Sequence, residues 1–219
     1  MLDNTPLVLT LTDDLALLAY HQGEFDAART HFEASLAVYR QQRNADGIAA
    51  SLNRLGELAR LRGDYGLATS LFEESLPLYR EMGNVLDAPS VLKNLGHVAQ
   101  ARGETARART LFAESLASQR EQGNKQGIAE CLAGLASVAY PPERAAELFG
   151  ATEALLDAVG APLSPADRTD WERNVTALRE RLGEAGFATA WAEGRALAAG
   201  ATAEAWDQIS AAALVHSSA

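Results

Sequence analysis

The sequence restates itself at a fixed step of forty residues, and this constrains the fold more than any other feature. From Asn53 it reads "NRLGELARLRGDYGLATSLFEESL", and from Lys93 it reads "KNLGHVAQARGETARARTLFAESL". Asn4, Asn44, Asn84 and Asn124 keep the same step, as do Leu15, Leu55, Leu95 and Leu135, each followed by a small residue (Ala16, Gly56, Gly96, Ala136). Ala28, Ala68 and Ala108, then Phe32, Phe72 and Phe112, then Ser35, Ser75 and Ser115 recur in the second half of the unit. A fourth copy, three residues shorter at its turn, places Ala145, Phe149 and Thr152 at the same relative spacings. The recurring residues are apolar or small and carry no chemistry. They are packing contacts between stacked units that cannot bury an apolar face alone.

Each half of the unit has helical period. Ala68, Leu71, Phe72, Ser75, Leu76 and Tyr79 fall on one face, following the i, i+3, i+4, i+7 stripe of an amphipathic helix. Ile48, Leu52, Leu55, Leu58 and Ala59 do the same in the first half, and Gly63 is placed to end that helix. Gly56 and Ser75 leave room for two antiparallel helices to approach, with Phe72 and Leu55 between them. Pro77 lies inside a second helix and is expected to kink it. His31, in the slot of Leu71 and Leu111, reads as a half-buried packing residue.

The spacing Leu55-Gly56, Ala59, Gly63-Asp64-Tyr65, Ala68, Phe72, Ser75-Leu76 resembles the tetratricopeptide repeat in a longer, forty-residue form, over roughly residues 6–159. The resemblance implies an all-α, right-handed superhelix, an α-solenoid of four helix-turn-helix repeats with a C-terminal helical cap. The repeats would occupy 1–160, at about 6–43, 44–83, 84–123 and 124–160, and the cap 161–219.

Beyond Gly160 the pattern stops. Ser164 as N-cap, Pro165 at the first helical position and Asp167 three residues on predict a helix over about 165–182. Two shorter helices should follow near 184–198 and 202–214, with fraying after Leu214. The three tryptophans, Trp171, Trp191 and Trp206, read as anchors that close the stack. The stretch from Pro142 to Leu197 is similar to the C-terminal arm of large bacterial regulators with a signalling ATPase core and often a LuxR-type DNA-binding domain. That resemblance implies a sensor or scaffold arm in bacterial signalling or transcriptional control. No phosphate loop of the form G-x-x-x-x-G-K-[ST] and no basic recognition helix accompanies it.

Composition narrows the partners. A net charge of −10 argues against direct contact with nucleic acid or an anionic membrane. No apolar run is long enough to span a bilayer. One cysteine, Cys131, excludes an internal disulfide and fits a reducing, cytoplasmic setting. It lies on an inward stripe and reads as structural. The histidines (His21, His31, His97, His216) show no metal-ligand spacing, and no nucleophile elbow or phosphate cradle is present. We therefore expect no catalytic residue, no metal, no cofactor and no enzymatic activity.

Function should reside in the groove lined by the first helix of each repeat. Outward register positions give Tyr20 in the first copy, Asn53, Glu57 and Arg60 in the second, Lys93, His97 and Gln100 in the third, with Asn94 at the groove edge, and Glu130 in the fourth. Asparagine amides offer donors and an acceptor to a peptide backbone, and the resemblance also favours Asn53 and Asn94. Both also fit a plain role, solvating the surface or bonding a neighbouring helix. Gly134 and Glu130 stand where a basic clamp for an acidic C-terminal tail would continue, so the partner expected is a neutral or weakly basic protein or peptide segment. Two other readings stay open. The apolar start, with Leu7, Leu9 and Leu11, would support a homodimer, and the groove would otherwise receive a small signalling molecule or pheromone peptide.

Overall fold

The computed structural model describes residues 5–198 and 203–214, with side chains from residue 8 to 198 and from 206 to 214. Asn4, the Leu7 side chain and the chain beyond Leu214 therefore lie outside the described residues. Among those described the protein is all-α: α1 Thr5–Gln22, α2 Phe25–Gln42, α3 Ala45–Leu61, α4 Tyr65–Glu81, α5 Ala88–Ala101, α6 Thr105–Glu121, α7 Lys125–Ser137, α8 Pro142–Val159, α9 Pro165–Leu197 and α10 Ala203–Leu214. Consecutive helices pack as pairs, the arrangement of an α-solenoid.

The chain forms two compact units, one of residues up to Asn94 with Ser164–Ala166, the other of Leu95–Leu163 with the chain from Asp167 onward. In the first, α1 packs on α2, α2 on α3 and α3 on α4. Its core joins Ala16 and Tyr20 of α1 to Phe32 and Leu36 of α2 and Leu52, Leu55 and Leu58 of α3. The Phe72 ring covers Gly56 so closely that a β-carbon there would overlap it. Ser75 Oγ donates to the Ala49 carbonyl at 2.8 Å, so the small polar residue of the repeat is paired where it is buried.

In the second unit α6 packs on α7, α7 on α8, and α10 on both α7 and α8. Phe112 serves two glycines at once, Gly96 and Gly134. Cys131 is fully buried, with its Sγ 3.1 Å from Ser115 Oγ. Trp171 meets the Phe149 ring edge-on at 4.9 Å, Trp191 lies 4.9 Å from Phe187, and Trp206 is buried. α9 is two rods: Gly183, at φ 67° and ψ 162°, interrupts its helical backbone.

The recurring asparagines have a local cause that their spacing alone did not reveal. Asn44 and Asn124 cap α3 and α7, each accepting from the backbone N–H three residues on at 3.1 Å, which satisfies one of the orphan donors of a helix start. Asn84 accepts from the N–H groups of Leu86 and Asp87 in the turn before α5. The expected kink at Pro77 does not interrupt α4. Pro77 and Glu73 are both exposed, so the carbonyl that the ring deprives of a donor belongs to a residue facing water.

At the turn between repeats Gly83 and Gly123 take positive φ, 64° and 65°, and the equivalent residue in the first copy, Arg43, is forced to 54°. A side chain in this region costs about 1–2 kcal/mol. Arg43→Gly is therefore expected to raise stability by about 1 kcal/mol, read as a higher urea midpoint with unchanged slope.

Candidate functional site

The residues assigned to the groove from register alone are mostly buried. In the first unit Tyr20, Asn53, Glu57, Arg60, Lys93 and Asn94 are all buried, and Asn94 is fully enclosed. Asn94 Nδ2 donates to Asn53 Oδ1 at 2.9 Å and to Glu57 Oε1 at 3.2 Å. Arg54 closes the cluster from its more exposed side, 3.0 Å from Glu57 Oε2. The Glu57 carboxylate holds the Arg54 guanidinium above its usual range, against an opposing effect of burial. Asn94 is thus no edge residue but the donor that joins neighbouring helices, and its Oδ1 makes no hydrogen bond. Register groups these positions into one row of first-helix residues. It did not anticipate that the row would be covered.

Tyr20 shows one source of cover. Its hydroxyl accepts from the Ala166 N–H at 3.3 Å, so the start of α9 lies against α1 inside the first unit. Elsewhere in that unit, Tyr39 donates to Asp13 Oδ2 at 2.5 Å. Burial, that hydrogen bond and the Asp13 charge push the Tyr39 hydroxyl up to about 12. The folded state thus holds its proton where an unfolded tyrosine, near 10, loses it. The resulting stability is complete below about pH 10 and declines as pH rises toward 12. Tyr39→Phe is expected to flatten that alkaline decline in a series of urea melts.

In the second unit His97 is 5% exposed and stands between two carboxylates of α9, Nε2 3.6 Å from Asp167 Oδ1 and Nδ1 3.5 Å from Asp170 Oδ2. Both aspartates are themselves buried, and Arg173 pairs with Asp170 at 2.7 Å. Gln100 Nε2 donates to Asn174 Oδ1 at 3.2 Å. The His97 ring also meets Phe112 edge-on at 5.0 Å. A cavity of about 10 Å³ opens among His97, Glu130, Asp167, Asp170, Trp171 and Asn174, room for roughly one water. Glu130 is half-buried and accepts from Gln126 at 3.0 Å.

Asp167 and Asp170 are the candidate-site residues that sequence reasoning missed. Asp167 was legible only as a capping residue, and its i, i+3 spacing to Asp170 was the available signal for a shared helix face.

Of the apolar N-terminal residues, Leu9 is 7% exposed and belongs to the interior, which corrects its place on an association face. Helical period turns it away from Leu11, which is 53% exposed. The outward row is instead Val8, Leu11, Leu15 and Leu18, each more than half exposed at 51–58%.

No group of three or more histidine, cysteine or carboxylate side chains arranged to hold a metal occurs among the described residues. Nor is any helix among them long and apolar enough to cross a membrane.

Residues 7–81 match one family model described as a tetratricopeptide repeat, and residues 90–121 match a second. These two segments carry tetratricopeptide repeats. None of the curated proteins of established function matches it. Tetratricopeptide repeats support a protein-interaction scaffold and imply protein partners. The helices α1 to α4 and α5 to α6 are the pairs that the two matched segments span.

Proposed function

We propose that this tetratricopeptide chain is a non-catalytic arm that binds a protein segment through the face of its first-position helices, within bacterial signalling or transcriptional control. The observation that carries the groove reading is the amide cluster of the first unit. The repeat elsewhere fills its interior with Ala, Leu and Phe, yet here it buries Asn53, Glu57, Arg60, Lys93 and Asn94. Asn94 Oδ1, enclosed and without a hydrogen bond, is an acceptor that the folded cluster leaves unused. Equivalent positions in successive copies differ (Asn53 and Lys93, Glu57 and His97), unlike the packing positions, which is expected of residues chosen for a ligand. The mixed charge of the cluster suits a neutral or weakly basic segment. The pathway rests on the similarity of Pro142–Leu197 to the C-terminal arm of LuxR-type regulators, and a cytoplasmic location goes with it.

The test is selection of binding peptides from a displayed library on the wild-type chain, followed by Asn94→Ala. Because Asn94 bonds Asn53 and Glu57, its loss should cost about 1–3 kcal/mol of stability. Circular dichroism must therefore accompany the binding curve. Folded Asn94→Ala that binds at least about tenfold more weakly supports the groove, a factor worth roughly one hydrogen bond. Undiminished binding sinks it.

A second reading, self-association, is favoured by the Val8, Leu11, Leu15 and Leu18 row. Forty residues on, Ile48, Leu55 and Leu58 of α3 belong to the core shared with α2. The row on α1 thus has the form of a packing face. Concentration-dependent mass in sedimentation, abolished by Leu11→Glu/Leu15→Glu, would establish it. A chain that stays monomeric at high concentration would exclude it.

A further inference from the structure

The first rod of α9 is seated in the second unit in the way a bound peptide helix would be. One side of it is apolar: Trp171, Val175, Leu178 and Leu182, spaced four, three and four apart, pack on the core of that unit. The polar contacts lie at its start, where Asp167 and Asp170 flank His97 and Asn174 bonds Gln100. Anchors at this spacing beside a small set of orienting polar contacts are the pattern by which an amphipathic helix occupies a protein groove. A water-sized cavity within the contact is a feature of interfaces as much as of cores.

The two rods of α9 are held by different means. The second is joined to α8 at backbone distance: a β-carbon at Gly194 would overlap the Glu147 carbonyl, and one at Gly150 the Trp191 carbonyl. Glu153 adds bonds from Trp191 Nε1 and from Arg195. Between the rods stands Gly183, whose positive φ breaks the helix at a residue free to adopt other conformations. Two buried carboxylates, Asp167 and Asp170, therefore sit on the hinged rod, and the buried His97 faces them from α5.

We propose that the α5–α7 face bearing His97, Gln100 and Glu130 is a recognition site for an amphipathic helix with an acidic pair at its start. The rod Asp167–Leu182 is its resident occupant, displaced about Gly183 when a partner helix presents an Asp-x-x-Asp pair followed by apolar residues at the same spacing. This rests on the reading that first-position helices form the binding face. It assigns the second unit a ligand marked by an Asp-x-x-Asp pair rather than by net charge.

The test uses the full chain in two measurements, wild type beside Asp167→Asn/Asp170→Asn. Hydrogen exchange should rise at least about tenfold across residues 167–182 of the variant while 184–197 and α8 keep their protection, because the contacts removed are those that hold the hinged rod to His97. A labelled synthetic peptide of residues 163–182 should bind the variant at least about tenfold more tightly than wild type, whose site is filled in cis. Replacing both aspartates in the peptide should abolish the gain.

Asn174→Ala, which removes one neutral hydrogen bond from the rod and leaves the face intact, should show the same pattern more weakly and serves if the double variant does not fold. Joint loss of protection in both rods and α8 would make α9 an ordinary cap and overturn the proposal. So would a released rod with no peptide binding. Either result leaves the Asn94 experiment standing, and a negative Asn94 experiment with positive peptide binding would confine recognition to the second unit.

Discussion

Gly194→Ala is expected to be among the most damaging single-methyl additions in the protein, lowering stability by about 3 kcal/mol, the upper part of the usual overpacking range. The new β-carbon would meet the Glu147 carbonyl oxygen. A side-chain neighbour can rotate away, whereas a backbone carbonyl in the middle of α8 is held by the helix itself. The helices must therefore separate at their crossing, loosening the bond from Trp191 Nε1 to Glu153. Gly150→Ala should behave alike, since its β-carbon meets the Trp191 carbonyl.

Gly186→Ala is the control. It lies on the same helix with only ordinary contact, 3.6 Å from Leu182 Cβ, and should gain up to about 1 kcal/mol from helix propensity. Urea melts of the three variants, followed by tryptophan fluorescence, would separate steric overlap from the intrinsic preference of glycine. Equal effects at Gly194 and Gly186 would contradict the close crossing.

Phe112→Ala should cost about 3–5 kcal/mol, the range for removing a fully buried aromatic ring. The ring fills the hollow over two glycines, Gly96 and Gly134, and its face meets the His97 edge. Its removal would leave a cavity beside a buried imidazole already flanked by two carboxylates. The physical content lies in the coupling. Gly96→Ala alone should destabilise, because its β-carbon would overlap the ring. In the Phe112→Ala background the same methyl group enters vacated space and should become neutral or favourable. A double-mutant cycle on denaturation free energies would thus show coupling of about 1–3 kcal/mol, and strict additivity would refute the ring-over-glycine packing.

The second prediction concerns positions that the repeat made visible. Gly56, Gly96 and Phe112 are legible because every copy must solve the same packing problem, and repetition prints the solution several times. The same holds for Gly63 at its turn. The asparagine caps were visible as a recurrence without a role, since spacing reports equivalence and says nothing of which atom bonds which. Pro77 was legible only as a proline inside a helix, because its exposure is a property of the assembled surface.

The groove row shows where such reading stops. Register put Asn53, Lys93 and His97 on one line of first-helix positions, and period separated them from the apolar stripe. Whether that line faces solvent depends on what else the chain lays over it. Asp167 and Asp170 lie about seventy residues from His97, outside the repeat, in a helix whose own pattern reports only that it is a helix. The N-terminal leucines divide likewise, Leu9 inward and Leu11 outward.

The sequence by itself therefore determined the repeat unit, its helix pairs, its turns and the identity of its packing residues, because these are short-range consequences of periodicity and side-chain size. Only the tertiary structure decided that the polar row is enclosed, that His97 stands between two aspartates and that α9 hinges at Gly183. Pairings between a repeat and a non-repeated segment occur once, and a single occurrence leaves no pattern along the chain from which they could be read.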